Sequence, residues 1–141
     1  MLRKRKTTRR PKFNARARRK ELQAFWGLLI RTAWRHRCQW EGCQETNPKK
    51  MQAAHIFGKK AFPSIRFHRR NGICLCQRHH FMADNSHRPQ FTLLAIELLG
   101  RDGVDELLVA GNKPFGSWGI AEYDRDLTLL NEWAVELGVE T

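Results

Sequence analysis

Large apolar residues recur at steps of three and four positions between about Ala15 and Arg37. This spacing places them on one face of a helix, and arginines fall among the polar positions. We therefore predict a core-packing helix with a basic outer face. The apolar residues of the stripe are Leu22, Phe25, Trp26, Leu29, Ile30, Ala33 and Trp34, and the arginines are Arg31, Arg35 and Arg37.

The pattern changes over Cys38–Asn85, where apolar runs become short and Cys and His are frequent. Ala53–Phe57 and Ile73–Leu75 each have the character of a short strand, and a polar segment joins them. A short helix is predicted to begin around Cys76–His79, to run through Asp84 and to end before the next proline. The middle of the chain is therefore predicted as two strands followed by a helix.

Helical spacing returns beyond Pro89. Helices are predicted over Phe91–Leu99, Val104–Ala110 and about Ala121–Leu137, each followed directly by a glycine, as is common at helix C-termini. The sequence has neither an internal repeat nor a flexible linker. The predicted fold class is α+β and mainly helical, in a single domain over residues 21–141.

The composition is that of a chain able to build a core. Of 141 residues, 41% are hydrophobic, which argues against wholesale disorder. No apolar run approaches the roughly 20 residues that a membrane helix needs, and no signal-peptide segment follows the N-terminal charges. We therefore expect a soluble intracellular protein without a membrane partner.

Positive charge is concentrated in the first two thirds of the chain. Residues 1–90 carry 23 basic and 4 acidic side chains, whereas residues 91–141 carry 3 basic and 10 acidic ones. This segregation indicates a surface that binds a polyanion such as nucleic acid, and a separate acidic packing or partner surface. Residues 1–20 contain eleven Lys or Arg and no acid. We predict that they form a basic flexible arm that becomes ordered on a phosphate backbone, with a solubilising tail as the alternative.

The four cysteines have a spacing typical of a metal site. Cys38 and Cys43 form a loose knuckle, and Cys76 stands three residues before His79. Three thiolates and an imidazole are a normal closed ligand set for structural Zn²⁺. Two disulfides are disfavoured by the charge and the missing signal peptide, and buried free thiols remain the alternative. Cys74 competes with Cys76 as a ligand, but only Cys76 has a partner three residues later on a helical start.

Three further side chains are candidates for chemistry. His80 and Asp84 are four residues apart on the predicted short helix, so they share a face and can hold one ion while His79 points elsewhere. His55 lies in the first predicted strand among apolar neighbours. A lone histidine in such a place is more often a packed core residue than a catalyst.

In combination, these residues resemble a known family. Ala54-His55-Ile56, then Asn71, then Leu75-Cys76-x2-His79-His80 is similar to the core pattern of the HNH endonucleases. Asn71 stands five residues before Cys76 and nine before His80, as that pattern requires. The resemblance covers about residues 38–110, and the surrounding sequence is similar to small HNH proteins encoded by bacteriophages.

The resemblance implies a fold and a set of roles. The fold is a zinc-braced ββα-metal core at about residues 38–90, with flanking N- and C-terminal helices, the latter in residues 91–141. His55 would be the general base, and Asn71 would brace the loop and the base. The structural zinc ligands would be Cys38, Cys43 and Cys76, with His79 in place of the usual fourth cysteine. His80 and Asp84 would bind the catalytic divalent ion, Mg²⁺ or another such as Mn²⁺ or Ni²⁺.

One position departs from the family pattern. The residue before the base, usually an acidic or histidine ligand of the catalytic ion, is Ala54. The ion would then have His80 and either Asp84 or His87 from the protein, which Mg²⁺ tolerates because water and substrate phosphate supply the remaining ligands.

The predicted function is therefore a metal-dependent DNA endonuclease or nickase, acting in the cytoplasm of a bacterial host if phage-encoded. Five basic residues would flank the scissile phosphate, with a solvated loop as the alternative for each of them: Lys59, Lys60, Arg66, Arg69 and Arg70. The alternative is a zinc-stabilised nucleic-acid-binding module without catalysis. Compatible with either is an accessory role in which the acidic residues 91–141 contact a phage packaging or recombination protein.

Overall fold

The computed structural model describes residues 12–140, and its fold is α+β and mainly helical, as predicted. No helix in this described stretch combines the length and the apolar character needed to cross a membrane. The helices are α1 (Ala15–Ala33), α2 (Gln77–Asp84), α3 (Arg88–Gly111) and α4 (Ile120–Glu136), the strands are β1 (Met51–His55) and β2 (Gly72–Cys76), and two short 3-10 turns cover Pro48–Lys50 and Pro63–Ile65.

Helix α1 begins and ends at identifiable local signals. The side chain of Asn14 accepts a hydrogen bond from the backbone N–H of Ala17 at 3.1 Å and caps the N-terminus. The helix ends at Ala33, four residues before the predicted end. Arg35 and His36 have φ angles of 56° and 54°, a left-handed conformation that stops the helix and redirects the chain toward the first cysteine.

The predicted basic arm overlaps α1. Residues 15–20 are helical, which corrects the arm's boundary at residue 20. Their positive charge does not prevent the helix, because Asn14 caps it and Arg18 forms an ion pair with Glu21 at 2.8 Å. Residues 1–11 of the arm lie outside the described residues.

The two strands form an antiparallel hairpin. Met51 lies opposite Cys76 and His55 opposite Gly72, and residues 56–71 connect the strands. Strand β1 lies two residues earlier than predicted. The ladder ends at His55 because the next residues turn to Asn71 instead: Ile56 donates its N–H to the Asn71 backbone, and the following N–H goes to the Asn71 side chain.

The hairpin is covered on both faces. Because side chains alternate along a strand, Ala53 and His55 face α1, whereas Ala54 faces α2 and α3. The cluster on the α1 and α4 side contains Leu22, Trp26, Leu29, Ile30, Phe67, Leu130, Trp133 and Ala134. The opposite cluster contains Ala54, Ile56, Ile65, Ile73, Leu75, Ala83, Phe91, Leu94, Ala95 and Leu107.

The C-terminal helices match the predicted spacing, and α3 is longer than predicted. Helix α3 starts at Arg88 and contains a break at Gly100 (φ 76°, ψ 157°), so the two predicted helices are its two halves. Helix α4 is displaced by one residue from its prediction. Gly138, just beyond α4, has a φ of 71°, the left-handed conformation that favours glycine after a helix.

Candidate metal centre and histidine pair

The four predicted zinc ligands come from three parts of the chain. Cys38 and Cys43 lie in the loop after α1, where Gly42 has a φ of 76° and permits the tight turn of the knuckle. Cys76 is the last residue of β2, and His79 lies in the first turn of α2. The junction of strand and helix therefore presents two ligands at a spacing of three residues.

These four side chains meet. The Sγ atoms of Cys38 and Cys76 lie 3.5 Å and 3.2 Å from Nδ1 of His79, and the Sγ atoms of Cys43 and Cys76 are 3.9 Å apart. All four ligand atoms lie within 4.8 Å of one another. A tetrahedral zinc ion with Zn–S bonds of about 2.3 Å separates its sulfur ligands by about 3.8 Å. The cluster can therefore hold a metal ion such as zinc.

The electrostatics of the cluster favour a bound cation. Burial raises the pKa of the Cys38 thiol to about 12, and the neighbouring Cys43 and Cys76 add to the rise, although backbone hydrogen bonds oppose it. Thiols crowded in this way resist ionisation unless a positive charge lies among them. Among residues 12–140, no other set of three or more Cys, His, Asp or Glu is grouped closely enough for a metal ion.

Cys74 is not part of the cluster. All four cysteines are free thiols, and Cys74 is fully buried against Met51 and Cys76. Burial raises its pKa to about 11. Of the two competing cysteines in β2, the geometry selects Cys76.

An indole covers the imidazole of the cluster. The ring of Trp40 stacks on that of His79 with centroids 5.2 Å apart and an interplanar angle of 6°. The ring of His87 meets the same indole edge-on at 6.3 Å, and its Nδ1 lies 2.6 Å from Ser86 Oγ. His87 thus packs near the cysteine cluster. Of the two residues predicted as alternative partners of His80, Asp84 is the one that contacts it.

The adjacent histidine points to a different place. Nδ1 of His80 donates a hydrogen bond to Gln52 Oε1 at 2.7 Å, while Nε2 lies 3.3 Å from Asp84 Oδ2. When Nδ1 carries the hydrogen, Nε2 presents a lone pair toward a carboxylate. A cation bound between them would take one ring nitrogen and one carboxylate oxygen as ligands. Gln52 was not predicted, although strand alternation places it on the same face as Ala54.

His55 is held in a defined tautomer. Its Nε2 donates to the backbone carbonyl of Arg66 at 2.9 Å, which leaves Nδ1 with a free lone pair. Its ring stacks on Trp26 with centroids 4.1 Å apart and an interplanar angle of 12°. Burial lowers the pKa of His55 to about 4; the Arg66 hydrogen bond opposes this, and the positive charges of Arg66, Lys59 and His80 add to it. The imidazole is neutral at physiological pH.

Asn71 closes the loop that carries this carbonyl. Its fully buried side chain accepts from the N–H of Phe57 at 2.8 Å and donates to the carbonyls of Phe57 at 3.1 Å and Ile65 at 3.0 Å. Both ends of the connection between the strands are thereby fixed to one amide. Since Arg66 follows Ile65, Asn71 also positions the carbonyl that orients His55.

The two imidazoles reach β1 from opposite faces. Gln52, which holds His80, and His55 are three residues apart and point to different sides of the strand. They are close enough for the charge of His80 to contribute to the lowered pKa of His55. Ala54 lies between them, almost completely buried, and offers no ligand.

The five predicted DNA-binding residues divide into two groups. Lys59 and Lys60 are exposed and Arg66 is half-buried, all in the loop next to His55. In contrast, Arg69 pairs with Glu136 at 3.0 Å and Arg70 with Glu106 at 3.4 Å. These exposed pairs join the basic loop to the acidic helices, and each contributes little to stability.

The arrangement combines a neutral, oriented imidazole with a histidine–carboxylate pair and a separate cluster of thiols. A search against protein-family models, curated proteins and solved structures found no match to this chain.

Proposed function

We propose that this protein is a metal-dependent DNA endonuclease or nickase of the HNH type. The observation that carries the proposal is the orientation of His55: its Nε2–H is fixed by the Arg66 carbonyl, its Nδ1 has no hydrogen-bond partner among the described residues, and the charge of His80 is near enough to lower its pKa. A neutral imidazole with one free nitrogen is suited to general-base catalysis at physiological pH.

In the proposed reaction, Nδ1 of His55 takes a proton from a water molecule. The water oxygen forms a bond to phosphorus as the bond to the 3′ oxygen breaks. The 3′ oxygen takes a proton from solvent water, which leaves a 5′-phosphate and a 3′-hydroxyl, and His55 then releases its proton to solvent. Trp26 and the Arg66 carbonyl keep the ring fixed during this proton transfer. The burial that keeps His55 neutral also excludes bulk water from one face of the imidazole.

His80 and Asp84 would hold the divalent ion. Cis ligands on an octahedral cation with bonds of about 2.1 Å lie about 3 Å apart, close to the 3.3 Å between Nε2 and Oδ2. The bound ion would supply positive charge to the phosphate and the leaving oxygen. With Ala54 in place of a third ligand, we expect weak ion affinity, since water and substrate must complete the coordination.

The cysteine cluster would have a structural role. A zinc ion there joins the loop after α1 to the start of α2, where His79 and His80 are consecutive. Binding can supply roughly 10 kcal/mol of folding free energy to a segment with few large apolar residues. Together with β1, β2 and α2 it would form the zinc-braced ββα-metal core of the family.

The test is cleavage of supercoiled plasmid in the presence of Mg²⁺, Mn²⁺ or Ni²⁺. We expect nicked or linear product from the wild type and none from His55→Ala or His80→Ala. His36→Asn is the matched control, because asparagine tolerates the left-handed conformation at that position. Cutting by His55→Ala at the wild-type rate would refute the assigned base.

The second candidate is a zinc-stabilised nucleic-acid-binding module without catalysis. The absence of a ligand at Ala54 favours it. In that case the wild type binds DNA with a strong salt dependence, yet none of the three ions yields nicked product.

A further inference from the structure

Two arginines lie together without acidic partners near the support of His55. Neither Arg19 on α1 nor Arg66 in the loop forms a salt bridge with any residue between 12 and 140. The Nε of Arg66 is buried and has no hydrogen-bond partner among them. A buried, unpaired guanidinium nitrogen is costly, and no group among the described residues offsets that cost at Arg66.

Aromatic rings hold both side chains. The guanidinium carbon of Arg19 lies 5.7 Å from the centroid of the Trp118 ring, and that of Arg66 lies 5.2 Å from the Phe67 ring. The rings of Phe67 and Trp118 are themselves 6.1 Å apart. Cation–π contacts of this kind position a guanidinium without neutralising its charge.

The nearby carboxylate does not compensate these charges. Asp126 accepts a hydrogen bond from Trp118 Nε1 at 3.0 Å and is paired with Arg125 at 3.0 Å. Burial lowers the pKa of Arg66, and the positive charge of Arg19 lowers it further, so the two cations repel each other. An anion between them would relieve that repulsion and supply acceptors for the unused donors.

We propose that Arg19 and Arg66 bind a phosphate of the nucleic-acid backbone adjacent to the one that is cleaved. This inference rests on the proposed function. The backbone carbonyl of Arg66 orients His55, and its side chain lies with the aromatic cluster on the α1 side, whereas His80 and Asp84 lie on the other face of β1. The substrate strand would therefore cross the end of β1 from α2 toward α1, with His55 between the two phosphate contacts.

The test is the salt dependence of DNA binding by the full-length, zinc-loaded chain. Mg²⁺ and other catalytic ions are omitted so that the DNA is not cleaved. Fluorescence anisotropy with a labelled duplex compares Arg19→Ala with Arg18→Ala. Arg18 is the matched control because it also lies over an aromatic ring, that of Tyr123, but has Glu21 as a partner.

We expect Arg19→Ala to weaken binding about tenfold, as for a charge-assisted hydrogen bond. The slope of log K against log salt should become less steep by about 0.9, whereas Arg18→Ala should change both quantities much less. Arg66→Gln, checked for folding by circular dichroism, should reduce the affinity and the salt slope as Arg19→Ala does. The double variant should bind only slightly more weakly than either single variant, because both arginines contact the same phosphate.

Equal behaviour of Arg19→Ala and Arg18→Ala would overturn the phosphate site, as would a wild type that does not bind DNA. The outcome is separable from that of the proposed function. Binding that depends on Arg19 without any cleavage would retain this site and reject the nuclease. Cleavage with no role for Arg19 would do the reverse.

Discussion

Gln52 Oε1 accepts a hydrogen bond from His80 Nδ1 at 2.7 Å, and this contact selects the tautomer of the imidazole. With Nδ1 protonated, Nε2 is the nitrogen available to an ion shared with Asp84. Hydrogen bonds to the second nitrogen of a ligating histidine usually fix both ring orientation and basicity. Gln52 is thus a positioning residue for the proposed ion site.

Replacing Gln52 by Leu should weaken divalent-ion binding. Loss of such a partner typically costs about 10- to 100-fold in metal affinity. The measurement is the Mn²⁺ concentration at half-maximal cleavage, with Gln77→Ala as the control because Gln77 is exposed at the start of α2. An unchanged Mn²⁺ midpoint in Gln52→Leu would show that this hydrogen bond does not tune the ion site. Gln52→Glu retains the acceptor and should restore tight binding.

Removing the zinc ligands should destabilise the chain. We expect elemental analysis to find one zinc per chain in the wild type. Cys43→Ser should lose both the zinc and the cooperative thermal transition, because the free energy of metal binding at such a site contributes directly to the free energy of folding. Cys74→Ala is the control, since Cys74 lies outside the cluster. Loss of zinc from Cys74→Ala with retention in Cys43→Ser would contradict the ligand set.

The buried His55 should make stability depend on pH. Its pKa is about 4 in the folded chain, against about 6.5 when unfolded, so the unfolded state binds more protons between these values. Its contribution is fully present above pH 6.5 and is lost as the pH falls toward 4, a difference of about 3 kcal/mol. Urea unfolding of wild type and His55→Gln at several pH values measures it. Parallel pH profiles for the two proteins would rule out the lowered pKa.

Gly72→Ala should disturb both packing and the proposed base. An added Cβ would lie 2.7 Å from Ile30 Cδ1 and from Trp26 Cζ2, and Trp26 is the ring that stacks on His55. Overpacking of this kind costs about 1–3 kcal/mol, to be measured by chemical unfolding. Gly58→Ala is the control, because nothing lies within 4 Å of its added Cβ. Equal stability of the two variants would contradict the close approach of α1 to β2.

Sequence spacing was sufficient for the parts of the molecule that are determined locally. The members of the cysteine–histidine cluster follow from knuckle and helix spacing, and the side chains of His79 and His80 diverge as neighbouring helical positions must. The interval of five residues from Asn71 to Cys76 is likewise local, because it is the length of β2. Asn71 closes the loop directly before this strand, and Cys76 ends the strand. These features depend on short stretches of chain whose geometry varies little.

Features that depend on tertiary contacts were not predictable in the same way. Helix α1 ends at two residues in the left-handed conformation, Arg35 and His36. Neither is a glycine or an asparagine, so the sequence does not indicate that conformation. Gln52 gains its role only when α2 folds over β1. The apolar pattern of α1 predicts that Trp26 is a core residue, but it does not reveal that the indole stacks on His55.

The break at Gly100 gives the two halves of α3 separate structural duties. The first half carries Phe91 and Leu94 into the core beside the hairpin. The second half ends against the connecting loop, where Ser64 Oγ donates to the Ala110 carbonyl at 3.1 Å and the lack of a side chain at Gly111 leaves room for Phe62 and Ile65. A chain truncated at residue 100 would therefore keep Phe91 and Leu94 beside the hairpin, yet lose Leu107, the α4 members of the opposite core cluster and the contacts behind the loop of Arg66. The acidic C-terminal portion thus holds that loop in place from behind.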